Sequence, residues 1–114
     1  MRYQGELPTA LFTDSQIRAR DFHKWEHCRG KFARGRDRLK VDELKKSIAL
    51  SGLKVPILLG VSDRYPDVYI GDGHHRAIAL TELGVERFPF RWYWITWSAV
   101  RIASEPFPYH FLGL

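Results

Sequence analysis

The stretch Gly71-Asp72-Gly73-His74-His75-Arg76 decides the predicted fold, because it stands between a strand pattern and a helix pattern. The β-type residues 68–70 come before it, and the apolar run 77–83 follows it. A strand, a glycine-bearing turn and a helix start form a natural anion site, since the first amides of a helix lack intrahelical acceptors. Gly73 lets the backbone approach a ligand closely, and the guanidinium of Arg76 suits phosphate or carboxylate. The stretch therefore predicts a phosphate site, for a nucleotide or a nucleic acid.

The composition is that of one soluble globular domain. The chain has 114 residues, 45% of them hydrophobic and 27% charged, which predicts a single domain with a small core over residues 1–114. No apolar run reaches about 20 residues, so no membrane partner is expected. The first six residues lack the apolar core of a signal peptide, which predicts a cytoplasmic protein. The single cysteine, Cys28, excludes an internal disulfide and a multi-thiolate zinc site.

Positive charge is concentrated in one part of the chain. The net charge is +5, and residues 18–46 carry eleven Lys or Arg against five Asp or Glu. Such a cluster is typical of contact with nucleic acid or another polyanion, although a solvated basic loop has the same composition. The candidate nucleic-acid-binding residues are Arg29, Lys31, Arg34, Arg36, Arg38 and Lys40.

The pattern of elements predicts an α/β (α+β) fold with a small mixed sheet and helices. A loop is expected after the first helix because Gly30 and Gly35 interrupt regular structure. In chain order we expect an irregular lead-in over 1–16, a weak helix over 17–28, a loop over 29–40, a helix from a cap at Asp42 to Gly52, a strand over 55–61, a turn over 63–67, a strand over 68–70, a helix over 75–83 closed by Gly84, and a strand over 88–97.

Two aromatic segments allow more than one interpretation. Phe88, Phe90, Trp92 and Trp94 alternate along the last strand, which indicates a buried central strand, with base stacking as the alternative. The tail over 105–114 is too proline-rich for regular structure and too apolar for water. We expect it to pack back on the domain, with docking on a partner as the alternative. The core then spans about 39–97, and residues 1–38 form a basic N-terminal extension.

The order of elements around the motif resembles the N-terminal domain of the ParB/sulfiredoxin superfamily. The resemblance covers about residues 39–95, through Leu44-x-x-x-Ile48, Gly52-Leu53-x-x-Pro56-Ile57, the motif itself, Ala79 and Leu83-Gly84. It implies a small α/β domain that binds nucleotide phosphates at the turn after the strand. The superfamily includes CTP-binding partition proteins, sulfiredoxins, ADP-dependent free-serine kinases and short ParB-like nuclease proteins, often from phages and prokaryotes.

The motif matches the branches of this superfamily unequally. Gly73 and Arg76 match the Gly-Glu-Arg-Arg motif of ParB, while two histidines stand at its middle positions. Gly73, His75 and Arg76 match the Gly-Cys-His-Arg motif of sulfiredoxin, but His74 replaces the nucleophilic Cys, so sulfinic-acid reduction is not expected. The free-serine kinase group shares the Asp-Gly-His-His-Arg form, which implies that the Asp and a His serve a nucleotide–metal complex. Its upstream Glu, a base, corresponds best to Glu26.

Each residue of the motif receives an expected role. Adjacent histidines cannot point the same way from an extended backbone, so one of them is expected to face the ligand. The alternative roles are structural: an N-cap for Asp72 and a salt bridge for Arg76. The full assignment is phosphate or nucleotide binding by Gly71, Gly73, His74 and Arg76, Mg²⁺ binding by Asp72, and proton transfer by His75 or His74 with Glu26 as a base.

These roles favour phosphoryl or phosphodiester chemistry, by a phosphotransferase or a nuclease, with Mg²⁺ and a nucleotide such as ATP, ADP or CTP, or with DNA. Two other functions stay open at this point. One is a non-catalytic nucleic-acid-binding module that uses residues 29–40, and the other is a small phage-type protein that binds a host protein. His23 and His27, beside Cys28, form a weaker metal candidate because no second group of ligands completes it.

Overall fold

The structure is a computed structural model that describes residues 4–62, 67–96, 100–102 and 105–114. Its strands and helices are β1 (Gln4–Pro8), β2 (Ile17–Arg18), α1 (Trp25–Lys31), α2 (Gly35–Ser51), β3 (Ile57–Ser62), β4 (Asp67–Asp72), α3 (His74–Leu83), β5 (Arg87–Ile95) and β6 (Val100–Ile102). Two 3₁₀ turns cover Thr9–Leu11 and Tyr109–Leu112. Among the described residues, no helix is long and apolar enough to cross a membrane.

The six strands form one mixed sheet, as the element pattern predicts. The order is β1-β5-β3-β4-β2, and β6 also pairs with β5. β5 runs parallel to β3 and antiparallel to β1 and β6, while β4 is antiparallel to β3 and parallel to the short β2. The position of β5 between other strands confirms the prediction of a central strand.

One face of the sheet builds the hydrophobic core with the helices and the tail. Ala77–Leu80 of α3 are buried, and α2 contributes Val41 and Ile48. The tail packs back on the domain as predicted, because Phe107 and Leu112 are buried in the same cluster. The sheet contributes Ile57, Leu59, Val61, Val68, Ile70, Phe88, Phe90 and Trp92. Trp94, on the same face of β5, is half-buried.

The lead-in and the first predicted helix differ from expectation. Part of the lead-in predicted over 1–16 is regular, because β1 over residues 4–8 pairs with β5 and sets Leu7 opposite Phe88. The helix predicted over 17–28 begins only at Trp25. Ile17 instead pairs with β4, and its carbonyl accepts a hydrogen bond of 2.9 Å from the indole N–H of Trp25. Pairing with strands remote in sequence overrides local propensity here, and no local pattern signals it.

The prediction of a loop over 29–40 is wrong. The segment consists of the end of α1, a short turn and the first residues of α2, which begins at Gly35, so Asp42 lies inside that helix and does not cap it. Lysine and arginine are good helix formers, and burial of Phe32 and Val41 anchors the segment. Gly35 has a φ of 66° at the turn into α2, so the glycine redirects the chain without ending regular structure.

The predicted helix ends are confirmed. α2 ends before Gly52, whose φ is 75°, and α3 ends before Gly84, whose φ is 71°. Glycine is the residue that adopts this left-handed conformation without a steric penalty. Of the turn predicted over 63–67, only Asp67 is among the described residues, and Trp97 also lies outside them.

Candidate functional site

The motif turn follows β4 and borders a groove with a volume of about 720 Å³. Gly73 is the N-cap of α3, with a φ of 121°, and it offers no side chain to the helix start. The first intrahelical bond runs from the N–H of Ala77 to the carbonyl of Gly73 at 2.8 Å. The amides of His74, His75 and Arg76 therefore lack intrahelical acceptors, and the same three residues line the groove. The arrangement creates a partial positive charge at the groove.

His75 is held by a carboxylate and an aromatic ring. Its Nε2 lies 2.9 Å from Oδ1 of Asp37, whose other oxygen is 3.0 Å from Nζ of Lys31. The imidazole stacks on the ring of Phe32, with centroids 4.2 Å apart and planes inclined by 12°. Hydrogen bonds from His75 and then from Lys31 lower the pKa of Asp37. An ionised Asp37 fixes the proton of a neutral His75 on Nε2 and leaves Nδ1 as an acceptor.

His74 has a different environment, although it is the next residue. Its Nε2 accepts a hydrogen bond of 3.1 Å from the backbone N–H of Arg20, so the other ring nitrogen carries the proton. Its ring lies edge-on to Phe22 and also contacts Trp25. Burial lowers the pKa of His74 from its ordinary value, which favours the neutral form at pH 7. This geometry makes His74 a tether between the chain around Arg20 and the start of α3.

Arg76 makes structural contacts with most of its guanidinium. Its Nη1 donates to the carbonyls of Val55 at 3.0 Å and Pro56 at 2.7 Å, immediately before β3. Its Nη2 pairs with Asp72 at 3.2 Å, and 14% of the Arg76 side chain is exposed. Contact with a phosphate must therefore use the edge of the guanidinium beside Asp72. The salt bridge that the sequence allowed as the alternative role for Arg76 is present.

The formal charges of the groove cancel. Its cationic side chains are Lys31, Lys40 and Arg76, and its carboxylates are Asp21, Asp37 and Asp72. Asp72 is 76% exposed and has Arg76 as a partner, and among the described residues no three His, Cys, Asp or Glu are grouped to hold a metal. A magnesium ion fits here only with most of its oxygen ligands from phosphate and water, Asp72 supplying one of them.

The structure divides the six basic residues predicted to bind nucleic acid. Lys31 pairs with Asp37, and Lys40 lies in the groove. Arg38 donates to both carboxylate oxygens of Glu82, at 2.9 and 2.8 Å, and to the carbonyl of Phe32. Three arginines remain exposed, at positions 29, 34 and 36. The six residues therefore do not form one surface.

Other predicted residues lie away from the groove or beneath it. Glu26 is exposed in the first turn of α1 and does not line the groove. Gly71 lies at its edge, where a Cβ would stand 2.5 Å from the hydroxyl oxygen of Tyr93, so the glycine also serves packing. Cys28 is buried, and burial raises the pKa of its thiol to about 11, which leaves it unreactive.

Sequence reasoning missed Asp37 and Phe32, which position His75. One signal was present, because Asp37 is the lone acid in the basic stretch 29–40. A single acid among so many bases indicates a specific partner, but that partner lies 38 positions further along the chain. Phe32 gave no signal beyond its hydrophobicity.

Three solved structures are similar to the chain in fold. Sulfiredoxin from Arabidopsis thaliana is 29% identical to the chain, with a TM-score of 0.58 over 82% of this chain and 88% of that one. The fold is ParB/sulfiredoxin-like. The Pnob8-like ParB-N domain is 13% identical to the chain, with a TM-score of 0.52 over 83% of it. A C-terminally truncated ParB from Caulobacter crescentus is 21% identical, with a TM-score of 0.51 over 82% of this chain.

These likenesses differ in what they carry. The match spans 31% of the Pnob8-like chain and 45% of the Caulobacter crescentus chain, and at such identity they support the ParB/sulfiredoxin-like fold alone. The Caulobacter crescentus structure is a complex with CTP-γ-S. No family model matches the chain, and no curated protein matches it.

Proposed function

We propose that the chain binds the phosphates of a nucleotide or a nucleic acid at the start of α3, and that the groove carries out phosphoryl or phosphodiester chemistry. The observation that carries this proposal is the N-terminus of α3, whose first three residues lack intrahelical acceptors for their amides and line a groove that also contains two lysines. Backbone amides and a helix dipole favour an anion. The complex of the Caulobacter crescentus ParB with CTP-γ-S supports a nucleotide as the ligand.

The phosphate contacts divide between backbone and side chains. The amides of residues 74–76 would bind equatorial oxygens, and Lys40 would approach from α2 across the groove. No ion pair of Lys40 occurs within the described ranges, so its ammonium is available to a ligand, whereas Lys31 is held by Asp37. Lys40 thereby moves from the predicted nucleic-acid set to the proposed phosphate site.

The cancelled charges of the groove favour a phosphate that arrives with its own cation. A bare polyphosphate would meet Asp21, Asp37 and Asp72 as well as the lysines, whereas a magnesium complex carries less negative charge. Asp72 would supply one carboxylate oxygen to that ion. Magnesium bound there would neutralise charge on the transferring phosphoryl group.

We propose His75 as the residue that accepts a proton. The Nδ1 atom of His75 would take the proton of an attacking hydroxyl group or water molecule. The oxygen of that attacking group would form a bond to phosphorus, and the leaving oxygen would depart with the electron pair of the broken bond. Asp37 stabilises the imidazolium that results, through the bond of 2.9 Å to Nε2. Asp37 is a positioning residue in this scheme, and His74 holds the loop beside it. Glu26 would need a change of position to act as the base.

The binding part of the proposal can be tested by calorimetric titration of ATP, ADP, CTP and a short DNA duplex, with and without Mg²⁺. We expect Mg²⁺-dependent binding of one of them, with at least tenfold weaker affinity in Lys40→Ala. Lys46→Ala is the matched control, since Lys46 is exposed on the same helix and does not line the groove. Equal losses in both variants would remove the groove from the proposal.

The catalytic part requires turnover of the ligand that binds. His75→Asn should lower kcat by about 10² to 10⁴ while ligand affinity stays within a few-fold. Asp37→Asn should also lower kcat, because the imidazolium formed on His75 loses the carboxylate that stabilises it. Unchanged turnover in His75→Asn would show that the groove binds phosphate without catalysis.

A second candidate function, nucleic-acid binding, is supported by the three exposed arginines at positions 29, 34 and 36. None of them forms an ion pair within the described ranges. If they contact a DNA backbone, the affinity must fall steeply with salt, and the triple alanine variant must flatten that dependence. The same salt slope in the variant would leave the groove as the sole candidate.

A further inference from the structure

A second cleft, with a volume of about 430 Å³, opens at the edge of the sheet beside β2. It is lined by residues 18–23 together with Asp67 and Tyr69. Two residues, Asp21 and Phe22, also line the groove at the start of α3, so the two spaces are neighbours. The volume lies within the range of small-ligand sites, and the proposed function assigns this cleft no role.

The cleft contains an aromatic ring covered by a guanidinium. The ring of Tyr69 lies against β3 where Gly60 has no side chain, since a Cβ there would come within 2.6 Å of the ring. The guanidinium carbon of Arg20 lies 5.4 Å from the centroid of the ring. Aromatic rings and guanidinium planes are the two protein surfaces on which nucleobases stack. The pair therefore offers a flat stacking surface.

This surface belongs to the face of the sheet opposite the core. Tyr69 pairs with Gly60, and Gly60 pairs with Tyr93 on β5, so the three residues share one face. None of them belongs to the hydrophobic core cluster, and Tyr69 is half-exposed. Arg20 and Tyr69 both line the cleft, so a ligand there meets the guanidinium that covers the ring.

The charges around the cleft indicate which part of a ligand enters it. Arg18 and Asp67 form a two-point ion pair. The other charged lining residues are one cation, Arg20, and one anion, Asp21. A phosphate gains little from such a balance. A nucleobase is uncharged, planar and edged with donors and acceptors, and it can bond to a carboxylate and a guanidinium at once.

We propose that this cleft binds a planar nucleobase, stacked on the surface formed by Arg20 and Tyr69. The hydrogen bond from the Arg20 amide to His74 fixes the loop against the start of α3. A base in the cleft and its phosphate in the groove are thus parts of one ligand, a step that rests on the proposed function. The base belongs either to a free nucleotide or to a nucleic-acid strand.

The test compares ligands with and without a base by calorimetry. Ribose 5-phosphate, AMP, CMP, adenosine, cytidine and the dinucleotides of A and C are titrated into the wild type, Arg20→Lys and Tyr69→Leu. We expect a mononucleotide to bind at least about fivefold tighter than ribose 5-phosphate, and this preference to vanish in both variants. Arg20→Lys keeps the charge and the backbone amide, so it tests the plane without disturbing the fold. Arg101→Lys, exposed and outside both the cleft and the groove, should keep the preference.

The outcomes separate the cleft from the groove. Equal affinity for AMP, CMP and ribose 5-phosphate would overturn the nucleobase site and leave the phosphate site intact. Binding of nucleosides that Arg20→Lys abolishes, with no binding of ribose 5-phosphate, would support the cleft and overturn the phosphate proposal. If the base site holds, tighter binding of a dinucleotide identifies a strand as the source, and equal binding identifies a free nucleotide.

Discussion

The turn over 71–76 and the segment over 29–40 differ from their expected roles in opposite ways. Part of the turn serves the scaffold, and part of the segment lines the groove. The turn contains the residues that resemble a phosphate site, but Arg76 donates two hydrogen bonds to backbone carbonyls before β3. His74 accepts a hydrogen bond from the backbone N–H of Arg20. The segment was expected to be a loop for nucleic acid. It folds as helix instead, and it brings Asp37 and Lys40 to the groove.

The difference shows that a motif identifies a backbone shape more surely than it identifies side-chain roles. The glycine turn and the open helix start are local properties that six residues can define. Which side chain faces the ligand depends on partners elsewhere in the chain. Substitutions of His74 and Arg76 in the turn should therefore affect mainly stability, and those in the segment should separate into effects on stability and effects on binding.

The largest effect is expected for Arg76→Ala. The change removes two hydrogen bonds to carbonyls and the pairing with Asp72, in a side chain that is 14% exposed. We expect the free energy of unfolding to fall by about 2 to 3 kcal/mol, since hydrogen bonds from a charged donor are the strong ones. Urea unfolding measures it, with Arg36→Ala as the exposed control. Unchanged stability with lost phosphate binding would make Arg76 a ligand group instead.

A smaller loss is expected for His74→Ala. The Arg20 amide would lose its acceptor, and the contacts with Phe22 and Trp25 would disappear. We expect the free energy of unfolding at pH 7.5 to fall by about 1 to 2 kcal/mol.

The same variant tests the pH dependence of stability. Because burial lowers the pKa of His74 in the folded chain, the unfolded chain binds that proton more tightly. The contribution of neutral His74 is therefore complete above about pH 6.5 and is lost as pH falls below it. Urea unfolding at pH 7.5 and 5.5 should show a larger drop in the wild type than in His74→Ala, and equal drops would contradict the assignment.

Glu82→Gln is expected to lower the free energy of unfolding by about 1 kcal/mol. The change removes the partner of Arg38 and so tests the structural contribution of the segment apart from ligand binding. Glu82 binds Arg38 through both oxygens and Lys45 through one, and the Arg38 pairing holds the pKa of Glu82 at about 2. Its contribution is present above about pH 4.3 and is lost as pH falls toward 2. Chemical unfolding of Glu82→Gln and of the exposed control Glu43→Gln checks it, and equal stabilities would show that the pairs add nothing.

The smallest change in stability is expected for Lys40→Ala. The side chain is exposed, and among the described residues it takes part in no ion pair. The free energy of unfolding, measured by thermal unfolding, should therefore change by less than about 0.5 kcal/mol. Loss of ligand binding without loss of stability would then sharpen the contrast with Arg76→Ala. A clear loss of stability would instead place Lys40 with the scaffold.

The sequence was sufficient for features with a local cause. The turn at Gly73, the ends of α2 and α3 at glycines, and the alternation of Phe88, Phe90 and Trp92 each follow from residues within one element. The N-terminal strand was not predictable in this way, because Leu7 is ordered by its pairing with Phe88, which lies far along the chain. The pairing of Asp37 with His75 likewise depends on how two helices meet. Local patterns also gave no means to see that Arg20 lies over Tyr69.

β1 and β6 both pair with β5, and the pairing with β1 has a consequence for the order of folding. β3 and β4 are neighbours in the chain and can pair early, but β1 has no partner until β5 has been synthesised, since Gln4 lies opposite Arg91. Contacts between such distant residues slow folding. During translation, residues 4–8 would remain an unpaired strand, open to association with other chains, until most of the protein has left the ribosome.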